Sequence, residues 1–314
     1  METAIKFLKK AKSPGPDEFY NELIINAGKS LKLNILDMVN NFWNEEQIPN
    51  ELYKLNIKSL YKGKGDANNL ENQRGIFLGN MVIKFYEKLI ILRAVTKIEN
   101  GMSCYQAGGR KNYSTSEPVL VLRSIIEKYK YFNEELIIEF LDLRKAFDKM
   151  ILRNVMQNLW NIGVRGKIWR NIYNINKKAT IQIKTTIGQS NEFTIGETLK
   201  QGSVLATNLA ALHTDTVSHR FTNTGLGANY GNEIVPLLLY QDDIVKFDKN
   251  STNMQKSNII LEIFQDENRM QYHNTKSVMM TNSKKNQNLI LLNNQPVPIV
   301  QEYKYLGDVL ARPY

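Results

Sequence analysis

The stretch LLLYQDDIVKF, residues 237–247, constrains the fold more than any other part of the chain. Its two apolar halves suit buried strands, yet Asp242 and Asp243 stand between them. In an extended strand neighbouring side chains point to opposite faces, so two adjacent aspartates do not both reach one ion. At a tight hairpin tip the backbone bends, and at least one carboxylate projects into an open cleft. The segment therefore reads as two short strands joined at the Gln-Asp-Asp step. Unpaired carboxylates beside a sheet are costly unless a cation neutralises them. An Asp-rich turn without a ligand also explains this pair taken alone.

A further carboxylate has a similar setting. ELIIEFLDL alternates like a strand and places Asp142 at its apolar end. If the two strands are neighbours, Asp142 meets Asp242 at one end of a sheet. Hard divalent ions take oxygen ligands, and Mg²⁺ keeps one or two carboxylates together with substrate phosphates. A pair of such ions about 4 Å apart stabilises both the attacking and the leaving oxygen of phosphoryl transfer. Asp142, Asp242 and Asp243 thus argue for two-metal chemistry on a phosphate chain.

Charge supports a polyanionic partner: the net charge is +10 over 314 residues. Residues 150–191 contain no Asp or Glu, yet carry Arg153, Arg165, Lys167, Arg170, Lys177, Lys178 and Lys184. That stretch is either a solvated face or a surface that tracks a phosphate backbone. The lone cysteine, Cys104, excludes an internal disulfide, and His213, His219 and His273 are too scattered for a zinc centre. Apolar runs fall short of the roughly 20 residues a membrane span needs. The start, METAIKFLKKAKSPGP, turns basic too early for a signal peptide. These features point to an intracellular protein, nuclear or cytoplasmic, without a membrane partner.

Helical spacing covers 18–44, 79–97, 115–131, 145–163, 203–221 and 253–269, with Ser114 or Thr115 as a cap of the third. Strand patterns fall at 55–61, 135–143, within 179–196 as a hairpin, 233–247, 276–280 and 304–310. Strands and helices are mixed without regular alternation, which favours an α+β fold over a doubly wound sheet.

At this point the residues carry a resemblance. SPGPD, NQRGI, YQAGGRKNYST, FLDLRKAFD, LKQGSVLATNL, LLLYQDDIV, MQYHNTKSVMM and YKYLG resemble, in order, the blocks of the reverse transcriptase domain of non-LTR (LINE-type) retrotransposons. The resemblance implies the fingers and palm of a right-handed polymerase, with an antiparallel palm sheet. Residues 1–134 would be an N-terminal extension and fingers. Residues 135–314 would be the palm, holding a nucleotide-binding loop and helix at 200–222 and the YQDD hairpin at 233–248.

It also implies roles. Asp142, Asp242 and Asp243 would be the palm carboxylates, with Asp142 and Asp242 the main ligands of two Mg²⁺ ions, for which Mn²⁺ substitutes. A primer 3′ hydroxyl would attack the α-phosphate of a dNTP on an RNA template, with Lys276 helping to protonate pyrophosphate. Phe147 would wall off the sugar 2′ position and so favour dNTP. Gln201 and Gly202 would lie beside the incoming nucleotide. Arg74 and Lys62, or Lys64 in place of Lys62, would hold the triphosphate. Arg110, Ser114 and Thr115 would touch the template backbone, the two hydroxyls equally suiting helix caps. Arg165 and Lys167 belong to the cation-rich stretch and would bind nucleic acid.

The sequence departs from the pattern at Gln241, where a small Ala is usual, at Gly75, where Pro is usual, and at Gly109 and His273. No thumb is expected after Tyr314, and no endonuclease before SPGPD. Two alternatives follow: a degenerate retrotransposon remnant that binds nucleic acid with little turnover, and an RNA-directed RNA polymerase, against which Phe147 argues.

Overall fold

The structure is a computed structural model that describes residues 1–63, 65–185, 188–282 and 290–311. Lys64 lies outside the described residues. The chain forms two compact units interleaved in sequence: Met1–Glu99 with Ile151–Leu209, and Asn100–Met150 with Ala210–Tyr314.

The first unit is built on a mixed sheet. Strand Lys54–Tyr61 pairs antiparallel with Gln73–Gly79 on one side and parallel with Thr180–Thr185 on the other. Helices Lys29–Glu45, Leu152–Asn161 and Gly166–Lys177 belong to this unit. Its core gathers Val39, Phe42, Phe85, Tyr86, Ile90, Leu159 and Ile172. Phe42 meets the Tyr86 ring edge-on at 5.8 Å. The Tyr86 hydroxyl is satisfied by donating to Asn171 Oδ1 at 2.8 Å.

The second unit holds an antiparallel sheet in the order Val278–Thr281, Ile137–Asp142, Asp243–Asp248, Leu237–Tyr240. The central strand Ile137–Asp142 is buried along its whole length except at Asp142. Ile138 and Phe140 enter a core with Leu122, Ile125 and Tyr129 of helix Ser116–Tyr131, and with Val245, Phe247 and Met280. Each such large side chain contributes roughly 1.5–3 kcal/mol on burial. Phe140 also stacks on Tyr303 at 4.3 Å. Tyr303 lies in the hairpin Glu302–Tyr305 and Asp308–Ala311, which turns at Leu306 and Gly307.

Three local expectations give way. The 18–44 helix is two helices, Glu22–Ile25 and Lys29–Glu45. The 145–163 helix is two helices, Ala146–Lys149 and Leu152–Asn161. Between them Ile151 is extended and bridges to Thr198, while Leu152 N–H donates to Glu197 O at 2.8 Å. Strand-like pairing wins over helical spacing at that point. The cation-rich stretch contains an unanticipated helix, Gly166–Lys177.

Candidate active site

The hairpin read from the sequence is present. Leu237–Tyr240 and Asp243–Asp248 pair antiparallel, and Gln241 and Asp242 make the turn. Gln241 takes a left-handed backbone, φ 60°, and is not extended as a strand residue would be. Strand Ile137–Asp142 is the neighbour of Asp243–Asp248, but the rung opposite Asp142 is Asp243 rather than Asp242. Like charges therefore face each other directly across a ladder, an arrangement that destabilises a sheet.

The electrostatics follow from that register. The Asp243 carboxyl is pushed up to about 7, first by burial and then by the charges of Asp242 and Asp142. Burial likewise raises the Tyr303 and Tyr305 hydroxyls, reinforced in both by Asp243. The Lys276 ammonium stands 3.4 Å from Asp142 Oδ2 on a side chain that is largely exposed. Asp142 is fixed from behind: its carbonyl accepts from His273 N–H at 2.8 Å, and Arg144 N–H donates to Gln271 O at 2.7 Å. Phe147 is half-buried in the short helix Ala146–Lys149, which Lys145 enters through a left-handed backbone, φ 50°. Among the described residues, no three His, Cys, Asp or Glu side chains are gathered around one point.

Another charge pair occupies the same two strands. Lys246 lies opposite Glu139, and its Nζ stands 2.9 Å from Glu139 Oε2, both side chains being buried. Lys246 Nζ also donates to Asn258 Oδ1 and to Met254 O in helix Ser251–Asn268. Burial pulls the Lys246 ammonium down, and Glu139 opposes that shift.

The first unit holds the expected nucleotide contacts. Lys62 is exposed beside strand Lys54–Tyr61, its Nζ donating to Glu71 O at 2.7 Å. Arg74 is exposed on strand Gln73–Gly79, opposite Leu60. The loop 200–203 packs against that strand: Phe77 N–H donates to Gln201 O at 2.9 Å. Gly202, φ 109°, lies so close that a methyl group there would sit 2.6 Å from Phe77 O. The loop is anchored by Glu87, which accepts from Ser203 Oγ at 2.8 Å and Val204 N–H at 2.9 Å. Burial lowers Lys200 to about 8, with Glu87 opposing.

The expected nucleic-acid contacts differ in how they are held. Arg110 Nη1 donates to Ser103 O at 2.8 Å and Gln106 O at 3.2 Å, and its guanidinium lies 4.5 Å from the Tyr113 ring centroid. Ser114 shares Glu117 as in a capping box, through its N–H at 2.7 Å and its hydroxyl at 2.8 Å. Thr115 makes no side-chain cap bond. Arg165 lies over the Trp160 ring, and Lys167 over the Trp43 ring. Gln106, given no role from the sequence, is wholly buried and bonded to the backbone of Gln241. Its signal was an amide followed by the small residues Ala107 and Gly108.

No helix among the described residues is long and apolar enough to cross a membrane. In comparisons with known proteins, the reverse transcriptase (RNA-dependent DNA polymerase) family profile matches residues 62–310. The chain is similar to the Retrovirus-related Pol polyprotein from type-1 retrotransposable element R2 of Popillia japonica, at 24% identity over 194 residues. That match covers 61% of this chain and 27% of the relative, so the chain spans about a quarter of the curated relative's length. Among solved structures, the chain resembles telomerase from Candida albicans in complex with a TWJ fragment of telomeric RNA. The TM-score is 0.62 at 10% identity, covering 90% of this chain and 48% of that one. It also resembles apo telomerase from Candida tropicalis truncated from its C-terminal domain, with a TM-score of 0.60 at 14% identity, covering 88% and 60%. These structural likenesses carry the right-hand polymerase fold, and the profile, which spans most of the sequence, carries the family. The chain belongs to the reverse transcriptase (RNA-dependent DNA polymerase) family.

Proposed function

We propose that the chain is the fingers-and-palm core of an RNA-directed DNA polymerase that adds dNTP units to a DNA primer on an RNA template. The observation that carries this reading is the like-charged rung of Asp142 and Asp243, with Asp242 at the adjoining turn. A carboxyl pushed up to about 7 by burial and then by its acidic neighbours is chemistry that suits a divalent cation. Asp142, Asp242 and Asp243 would hold Mg²⁺, or Mn²⁺ in its place, two ions being expected. When bound, such ions supply charge neutralisation at the attacking and leaving oxygens. Carboxylates on separate strands leave room for the phosphate oxygens and waters that complete a magnesium site.

The chain's own residues take the remaining roles. The Phe147 ring stands beside the sugar and leaves no space for a 2′ hydroxyl. Gln201 offers both donor and acceptor to sugar or base, and Gly202 lets the backbone approach. Arg74 and Lys62 hold the triphosphate. Lys276, released from Asp142, donates a proton to pyrophosphate. Arg165, Lys167, Arg110, Ser114 and Thr115 attract the nucleic-acid backbone, and all but Thr115 also hold a bond within the chain, Arg165 to Trp160 O and Lys167 to Asn44 O at 3.3 Å. An intracellular setting follows from RNA as template.

A second reading is a degenerate copy that binds nucleic acid with little turnover. It is favoured by the departures from the family's blocks at Gly75, Gly109, Gln241 and His273. Primer extension on an RNA template with Mg²⁺ and dNTPs separates the two. Extension that Asp142→Asn removes supports the polymerase. Salt-sensitive RNA binding without extension, even on a short preformed duplex, supports the remnant. A preference for rNTP over dNTP in the unaltered protein would sink the role given to Phe147.

A further inference from the structure

The catalytic hairpin is held from below by one side chain. Segment 105–107 runs along strand Leu237–Tyr240: Leu239 N–H donates to Tyr105 O at 2.9 Å, and Ala107 N–H donates to Leu239 O at 2.9 Å. Gln106 then turns inward and is fully buried. Its Oε1 accepts from Gly108 N–H at 2.8 Å and from Gln241 N–H at 3.1 Å. Its Nε2 donates to Thr214 Oγ1 at 3.1 Å and Ala211 O at 3.3 Å in helix Ala206–His219, and more weakly to Gln241 O at 3.4 Å. Backbone N–H groups only donate and carbonyls only accept, so the amide has one satisfactory orientation. The segment itself is anchored, because Ser103 donates to Asp215 through its N–H at 2.8 Å and its hydroxyl at 2.5 Å.

Gly108 closes the contact from the other side. A methyl group there would lie 2.1 Å from the Gln241 nitrogen and 2.9 Å from its Cγ. Gln241 is the residue with the left-handed backbone, immediately before Asp242. Such a conformation in a non-glycine residue costs of order 1–3 kcal/mol and persists where its surroundings over-determine it. Here Gln106 binds both the N–H and the C=O of the strained residue, and the bare Gly108 backbone leaves it room.

We propose that Gln106 is a positioning residue of the nucleotidyl-transfer site, clamping the Gln241 peptide against helix Ala206–His219 so that Asp242 and Asp243 keep their aim. The clamp rests on the polymerase reading for its consequence, though not for its geometry. A displacement of about 1 Å in a reacting geometry costs up to roughly 100-fold in rate.

The test pairs steady-state primer extension with amide hydrogen exchange of the peptide covering 237–245, measured without metal or nucleic acid. Gln106→Leu is expected to speed exchange of that peptide about tenfold. It should lower kcat by roughly 10- to 100-fold with the template–primer Kd unchanged. Gly108→Ala, which pushes on the same peptide from outside, is expected to reproduce both effects. Gln106→Glu keeps the oxygen that accepts from Gly108 and Gln241 but turns its second oxygen on Ala211 O and Gln241 O, so it should speed exchange and lower kcat as Gln106→Leu does. Leu292→Ala, buried in strand Leu291–Leu292 of the same unit and outside the core around the hairpin, serves as a stability control: it lowers the melting temperature without selective exchange at 237–245. Should Gln106→Leu not fold, Gly108→Ala and Gln106→Glu decide the matter. Unchanged hairpin exchange in Gly108→Ala, or in a folded Gln106→Leu, overturns the clamp, as does loss of kcat without faster exchange. If the unaltered protein does not extend primers, the polymerase reading fails and the exchange arm alone still judges the clamp.

Discussion

The same two strands carry two charge pairs with opposite logic. Lys246 and Glu139 face each other as a cation and an anion, buried and tied into helix Ser251–Asn268. Asp142 and Asp243 face each other at the sheet end as two anions, with Lys276 at 3.4 Å. The first pair is neutralised from within the chain, so it specifies how the strands register and asks nothing of a ligand. The second sets carboxyl against carboxyl, which is why we read it as a site rather than a brace. Sign on a rung separates architecture from chemistry here better than burial does.

The largest effect should come from the unbalanced rung. Asp142→Asn and Asp242→Asn are expected to remove several kcal/mol of transition-state stabilisation, roughly a 10³-fold loss in primer extension. Their melting temperatures should hold or rise, since like charges are relieved. A matching fall in stability would erase the distinction between the pairs. Breaking the balanced rung should do the reverse. Lys246→Met alone strands Glu139 and should cost about 3–5 kcal/mol in chemical denaturation. The double change Lys246→Met with Glu139→Leu is expected to recover most of it. If the double variant stays as unstable as the single, the pair contributes more than register.

His213 supplies an intermediate case, because it is buried beside Phe264 and its imidazole is lowered to about 4 by burial alone. The folded state keeps it neutral, while the unfolded chain protonates near 6.5. Its stabilising contribution is therefore full above about pH 6.5 and is lost as pH falls towards 4. The loss amounts to about 3 kcal/mol. Melting curves across that window should be flatter in His213→Leu than in the unaltered protein. The smallest effect separates two neighbouring hydroxyls. Ser114→Ala should cost about 1 kcal/mol as a lost cap, and Thr115→Ala close to nothing. Template binding that falls with Thr115→Ala and not with Ser114→Ala would assign the ligand to the hydroxyl without a cap bond.

Much of this was legible in the sequence. The apolar runs around FLDL and QDDI gave the strands, and turn residues gave the hairpin. The missing parts are tertiary. Asp142 opposes Asp243 because the antiparallel register slides by one residue, and register is set by packing across the sheet rather than by either strand alone. Glu139 and Lys246 were visible as charges inside apolar runs, yet their partnership needs strands a hundred residues apart to meet. The 145–163 helix pattern failed at Ile151, where a bridge to Thr198 outcompetes local periodicity. Gln106 escaped notice because a polar residue in a loop suggests solvent, whereas here it is the loop's innermost group.

The strand order of the second unit bears on how the protein is made. Ile137–Asp142 is central and buried, but its partners are Asp243–Asp248 and Val278–Thr281. A ribosome delivers this strand first, at roughly 5–20 residues per second, and its two neighbours arrive several seconds or more later. Through that interval an apolar segment with both edges open waits in the nascent chain, which is the kind of surface other unfinished chains pair with. Synthesis, more than the finished molecule, is where this sheet is vulnerable, and a nascent-chain chaperone would have its greatest effect between the emergence of residues 142 and 281.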